Sequence, residues 1–302
     1  MAPNGYLWWY VDGLSHDGRQ SITLIAFIGS VFSPYYALAR WRGRGDPLDH
    51  CALNVAVYGE RRKRWALTER GRHALKRDGS SLTIGPSSLA WDGTTLTVRI
   101  DEVTAPLPTR IRGVVRLRPA ALCRRTFHLD AHGGHRWSPM AACSTIEVEL
   151  EQPAVQWTGP AYLDMNAGDG PLDAAFSHWD WSRATRPEGT DVLYDIVRKD
   201  GRRLALAARF DPSGGAQDLI PPEEVHLPST LWGVARKTRA DLGHRPTVLR
   251  SFEDAPFYAR SLVASHLMGS PVTAIHESLS LDRFRTPWVK AMLPFRMPRY
   301  DN

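Results

Sequence analysis

The chain has 302 residues, 43% hydrophobic and 23% charged, which is enough apolar material for one large or two ordinary cores and excludes a disordered or fibrous protein. A net charge of +6 comes from 38 Lys and Arg scattered in twos and threes, densest at 61–64, 202–203 and along the tail from Arg283 to Arg299, so no continuous basic stripe marks a nucleic-acid binder. Three widely separated cysteines, Cys51, Cys123 and Cys143, form neither a disulfide framework nor a zinc box.

From the N-terminus, residues 1–9 show no basic region followed by a long apolar stretch, so no secretory signal is read, and with the cysteines this fits a reducing cytoplasmic setting. The segment 22–39, ITLIAFIGSVFSPYYALA, approaches the roughly 17–20 residues of a membrane span. Gly29, Ser30, Ser33 and Pro34 interrupt its middle among β-rich residues, which predicts two strands joined by a turn near Ser33-Pro34. Further strands are expected at 8–11, 53–58, 64–68, 96–100, 111–117, 146–150, 192–197, 204–210 and 247–252, with hairpin turns at Trp91-Asp92-Gly93 and Lys199-Asp200-Gly201. Helical signals are confined to 171–176, to 229–242 with Ser229 as its cap, and to 256–268. This density of strands predicts a mainly β protein of two barrels or sandwiches. Gln152-Pro153 and Gly159-Pro160 punctuate 151–159 and put the division there, giving domains 1–152 and 153–302.

Two dyads flank that division, His135-Arg136-Trp137 and Tyr162-Leu163-Asp164. In extended chain the period of two turns His135 and Trp137 to one side, and Tyr162 and Asp164 likewise. An acid beside aromatic faces suits carbocation chemistry. The chain carries no metal box, P-loop, dinucleotide fingerprint or G-x-S-x-G elbow, which leaves a cofactor-free reaction driven by proton transfer as the leading idea. A pocket at the interdomain junction is expected. Taken singly, His135 also fits a loop histidine, Trp137 and Tyr162 core aromatics, and Asp164 a turn residue ahead of Asn166-Ala167-Gly168. For the cluster His178-Trp179-Asp180-Trp181 a structural role is favoured, with the tryptophans packing a barrel and Asp180 pairing Arg183. Trp8, Trp9, Tyr10 and Asp12 fit either a channel lining or a core. His276-Glu277 is a weaker acid/base candidate.

Eight blocks in order along the chain resemble the carotenoid 1,2-hydratase family, also called hydroxyneurosporene synthases. They are GYLWWYVDGLS (5–15), FIGSVFSPYYALAR (27–40), LTERGR (67–72), IGPSSLAWDG (84–93), YLDMNAGDGPLDAAFSHWDWSRA (162–184), FYARS (257–261), HESLSLDRF (276–284) and MLPFRMPR (292–299). The resemblance implies two lipocalin-like β domains and cofactor-independent addition of water across the terminal C1=C2 double bond of an acyclic carotenoid. It also implies that the H-x-W and Y-x-D positions, His135, Trp137, Tyr162 and Asp164, are catalytic.

Hydrating such an alkene requires a proton at C2, because the charge then falls on tertiary C1. Asp164 is the expected acid, burial favouring its neutral form. Trp137 and Tyr162 offer π faces to the cation, and His135 is the expected base or water-orienting group. Tyr162 can also hold the Asp164 rotamer. A polyene so insoluble implies peripheral contact with a membrane, for which the tail residues Phe284, Trp288, Phe295, Arg296 and Arg299 are suited. Two rivals stand beside this reading: a lipocalin-like carrier that leaves the polyene unchanged, and an isomerase or cyclase in which an internal nucleophile traps the cation.

Overall fold

The computed structural model describes residues 1–60 and 63–300, so Arg61 and Arg62 of the basic run lie outside the described residues. The chain forms two compact units. Met1–Pro171 and the tail from Ala291 make the first, and Leu172–Lys290 the second.

The first unit contains β1 (Tyr6–Leu14), β2 (Ser21–Ile28), α1 (Pro34–Trp41), β3 (Cys51–Tyr58), β4 (Lys63–Arg70), β5 (Leu75–Arg77), β6 (Ser81–Ile84), β7 (Ser87–Trp91), β8 (Leu96–Val103), β9 (Arg110–Pro119), β10 (Phe127–His128), β11 (His135–Gln152) and β12 (Val155–Gly168). The second contains α2 (Leu172–Ala175), β13 (Phe176–Arg186), β14 (Gly189–Arg198), β15 (Arg203–Phe210), β16 (Ala216–Asp218), β17 (Glu223–Leu227), β18 (Arg236–Ala240), β19 (Thr247–Asp254), β20 (Tyr258–Leu267), β21 (Ser270–Ser280) and α3 (Leu281–Phe284). After these come α4 (Pro287–Arg296) and β22 (Arg299–Tyr300), and β22 joins the first sheet.

In the first unit the strands run in the order β22-β4-β3-β2-β1-β12-β11-β9-β8-β7-β6-β5, antiparallel except for the short β22–β4 pair. One face of this curled, lipocalin-like sheet closes on an apolar core that includes Val11, Leu24, Leu53, Val98, Val115, Ile146 and Leu163. The alternate positions of β1, β2, β3 and β12 are buried as well, and they hold polar and aromatic side chains: Tyr6, Trp8, Tyr10, Asp12, Asn54, Tyr162, Asp164 and Asn166. A strand buried on both faces, with its polar groups confined to one of them, is the local feature that sets up a site. The second unit is a seven-stranded antiparallel sheet ordered β16-β15-β14-β13-β21-β20-β19, and the β17–β18 hairpin forms its own small sheet.

The mainly β expectation holds, and both hairpin turns form. Asp92 caps the β7–β8 turn by accepting from the Thr94 and Thr95 amides, with Gly93 at φ +99°. Four expectations are corrected. The stretch after Ser33 is helix α1, not a strand, because Ser33 Oγ accepts from the Tyr35 and Tyr36 amides and Pro34 occupies the first helical position. Residues expected as helix at 229–242 and 256–268 contain strands β18 and β20. There Arg236, Thr238 and Ala240 are buried at a period of two, and β20 is paired on both edges by β19 and β21. The division expected at 152/153 falls instead at the turn of the β11–β12 hairpin, whose strands pair from His135↔Gly168 to Leu150↔Val155. Finally, two of the tail residues expected at a membrane are engaged elsewhere: Phe284 is 1% exposed, and Arg299 donates to Glu69 Oε1 at 2.5 Å.

Candidate active site

Register brings the two dyads together. In β12 the positions 162, 164, 166 and 168 share one face. On one edge β11 sets Trp137 opposite Asn166 and His135 opposite Gly168, and on the other β1 sets Asp12 opposite Tyr162 and Tyr10 opposite Asp164. Just beyond Trp137 the β11 ladder slips between Ser138 and Ala141 and again before Ser144, so the paired segment carrying the dyad is a short one.

The Asp164 carboxyl group is the centre of this face. Trp137 Nε1 donates to its Oδ2 at 2.8 Å, the Tyr162 hydroxyl donates to the same oxygen at 3.1 Å, and Asn166 Nδ2 donates to Oδ1 at 3.1 Å. All four side chains are buried, Asp164 at 4% exposure and Tyr162 at 0%. Bulk water therefore does not compete for the carboxyl group, and each donor carries more weight than it would at a surface. Phe127 of β10 packs on the Trp137 ring with centroids 4.9 Å apart, and Tyr10 meets the Tyr162 ring edge-on at 6.4 Å. Burial, and after it the Asp164 charge and hydrogen bond, push the Tyr162 phenol far above its ordinary pKa, so the hydroxyl stays protonated.

His135 stands one step along the same face and is 6% exposed. Its Nδ1 lies 2.9 Å from the Tyr6 hydroxyl, and its backbone N–H donates to Asp130 Oδ1 at 3.2 Å. Burial lowers the imidazole pKa below 6.5, with the Asp130 charge the next contribution and opposing it. The neutral ring is thus the resting form near neutral pH.

All four expected residues belong to the first unit, so the picture of one dyad contributed from each half is corrected. Tyr6 and Asn166 were not anticipated. Asn166 was masked by its turn-like neighbours Ala167 and Gly168, although the period of two from Tyr162 already placed it on the dyad's face. The cluster at 178–181 lies in the second unit. There His178 Nε2 contacts Asp180 Oδ2 at 3.1 Å, Asp180 Oδ1 accepts from the Ser278 hydroxyl, and Trp179 and Trp181 are buried on the opposite face. The expected Asp180–Arg183 pair is corrected, because an odd separation along β13 puts the two on opposite faces, and Arg183 donates to Thr185 Oγ1 at 2.9 Å. His276 and Glu277 likewise diverge, His276 Nε2 donating to the Lys237 carbonyl at 2.7 Å and Glu277 pairing Arg260. An open cleft of about 790 Å³ gathers the charged side chains of Asp17, Arg19, Glu60, Arg64, Arg110 and Glu151 where the β1–β2 and β11–β12 turns end the sheet. It includes none of the four residues.

Residues 24–302 match the family model described as carotenoid hydratase CrtC. The chain is 54% identical over 300 residues to the acyclic carotenoid 1,2-hydratase of Thiocapsa roseopersicina, an alignment covering 99% of this chain and 74% of that protein. It is 52% identical over 306 residues to the protein of the same name from Rubrivivax gelatinosus, with the same coverage. Among solved structures, CghA with Sch210972 superposes with a TM-score of 0.63 at 13% identity over 93% of this chain and 89% of that one. An AttH candidate from Nitrosomonas europaea gives 0.61 at 16% identity over 91% and 92%. At such identities these two structures speak for the fold alone. With the family model spanning nearly the whole chain and relatives more than half identical to it, the chain belongs to the carotenoid hydratase CrtC family.

Proposed function

We propose that the chain adds water across the terminal C1=C2 double bond of an acyclic carotenoid, with Asp164 as the acid. The observation that carries this reading is the buried carboxyl group held by Trp137, Tyr162 and Asn166. An indole N–H donates and cannot accept, so Oδ2 is committed as an acceptor. The transferable hydrogen of the acid form then sits on Oδ1, where the Asn166 amide can turn to receive it and turn back to stabilise the anion. Protonation of C2 leaves the positive charge on tertiary C1. The Trp137 and Tyr162 rings face that charge, each contributing about 0.5–2 kcal/mol when desolvated, and neither ring offers an anionic nucleophile that would trap the cation. Water then adds at C1 with neutral His135 as base.

The substrate's insolubility supports a second element of the reading, acquisition from a membrane. Helix α4 buries Val289 and Leu293 but leaves Trp288, Met292 and Phe295 exposed by 44%, 43% and 73%, a stripe at helical spacing with Lys290 and Arg296 as the only charges on the helix. Such a stripe suits the interface of an anionic bilayer. No helix among the described residues is long and apolar enough to cross a membrane.

The deciding experiment incubates purified protein with lycopene in water labelled with oxygen-18. The expected result is one labelled oxygen per hydrated end, and its loss by a factor of about 100 or more in Asp164→Asn, a change that keeps the shape and removes the acid. A carrier incorporates no label, and a cyclase yields product of unchanged mass.

A further inference from the structure

We propose that Tyr6 is a positioning residue for His135, taking the imidazole Nδ1–H on its hydroxyl oxygen so that the Nε2 lone pair is held toward the incoming water. This rests on the hydratase reading above, in which His135 is the base.

Three observations build the assignment. The Tyr6 hydroxyl and His135 Nδ1 are 2.9 Å apart with both residues buried, at 3% and 6% exposure. The two side chains come from strands on opposite edges of β12, and Gly168 is the register partner of each. A Cβ at Gly168 would lie 2.2 Å from Tyr6 Cε1 and 2.7 Å from His135 Nδ1, so the pair closes over a position in β12 that carries no side chain. Gly168 is absent from the residues of positive φ, so close approach, not backbone conformation, is what calls for glycine there. Tyr6 is itself held by stacking on Trp8, with centroids 4.7 Å apart and planes at 18°.

The chemistry follows from which forms are neutral. Burial raises the phenol pKa and lowers that of the imidazole, so the contact joins two uncharged groups and not an ion pair. A neutral imidazole has one N–H. If Nδ1 holds it and donates to the tyrosine oxygen, the lone pair lies on Nε2, which is then the basic nitrogen. As water oxygen bonds to C1, one of its O–H bonds breaks, the electron pair stays on oxygen and the proton passes to Nε2. The positive charge has then moved from C1 to the imidazolium, whose Nδ1–H remains on Tyr6 throughout. Release of that proton to solvent, and uptake of one by Asp164, complete the addition of a single water.

The test exploits the two fates of the cation. When water capture is slowed, the cation returns to alkene as the Asp164 carboxylate takes a proton from C2 and the electron pair of that C–H bond closes the double bond, so in deuterium oxide the recovered substrate keeps deuterium at C2 whenever the original hydrogen is the one removed. Wild-type protein, Tyr6→Phe, Gly168→Ala, His135→Gln and Asp164→Asn are each incubated with lycopene in deuterated buffer, and the ratio of deuterium at C2 of recovered lycopene to alcohol formed is measured by mass spectrometry and NMR. Tyr6→Phe keeps the ring and its stacking. It is expected to lower alcohol formation about 10- to 100-fold while raising that ratio, as is His135→Gln. Gly168→Ala, which leaves the tyrosine chemically intact, is expected to shift the ratio in the same direction. Unchanged hydration in Tyr6→Phe, or a fall of exchange and hydration in equal proportion, overturns the assignment. Asp164→Asn is expected to lose both processes, and exchange surviving there would overturn the acid reading and not the positioning role.

Discussion

At position 164 two opposed influences meet in one side chain: burial favours the neutral acid, while three donors favour the anion left after proton transfer. The acid role proposed for Asp164 needs both, the first to carry its proton and the second to release it to an unactivated alkene. At position 135 burial alone dominates, and the consequence can be read in a pH profile. On the proposed reading, in which His135 is the base and works in its neutral form, a pKa lowered from 6.5 is expected to put the midpoint of the acid-side decline of kcat/KM below that value. His135→Gln should remove this limb along with most of the rate. The same shift makes a statement about stability. Between the unfolded and the lowered folded pKa the unfolded chain binds more protons, so stability falls as pH drops below the ordinary histidine range, and buried His276, lowered by the same cause, adds to it.

Among the elements, α1 and β20 show what a local reading gets right and where it fails. Tyr35 and Tyr36 are strand-forming by propensity, but Ser33 and Pro34 before them supply a cap and a first helical residue, and the cap outweighs the propensity. Ser33→Ala is expected to cost about 1 kcal/mol, measured as a lower midpoint in urea with an unchanged slope; an unaltered midpoint would show that Tyr36, fully buried with its hydroxyl donating to the Gly5 carbonyl at 2.7 Å, holds the helix without the cap. In β20 the sequence YARSLVASHL has helix formers enough, yet ten consecutive register pairs with β21 override them. The dyad strands were legible for the opposite reason. Their content is a period of two, which the pleat imposes wherever a strand forms. Asn166-Ala167-Gly168 has residue types common in turns, which is why Asp164 taken singly also fits a turn residue, and only the pairing of β12 on both edges makes the stretch strand.

For the whole molecule, the tail is the part in which the proposed membrane contact and folding meet. Leu293 and Met297 are buried, β22 pairs with β4, and Arg299 reaches Glu69, so removing the tail would take core contacts with it. Point changes on the exposed stripe are the cleaner probe. Trp288→Ser combined with Phe295→Ser is expected to reduce co-sedimentation with phosphatidylglycerol vesicles several-fold while leaving far-ultraviolet circular dichroism unchanged; equal sedimentation would remove the membrane role of α4.

By itself the sequence determined the mainly β class, the hairpin turns at Asp92-Gly93 and Asp200-Gly201, and the sharing of a face by His135 with Trp137 and by Tyr162 with Asp164. These depend on turn geometry and on the backbone pleat, which act over a few residues. Tertiary structure alone decided that Trp137 reaches Asp164 across 27 positions, that Tyr6 meets His135 across 129, and that the compact units divide at Pro171 and not at Gln152. Which strands become neighbours is settled by the burial of distant apolar faces against one another, a balance spread over the whole sheet and written in no single segment.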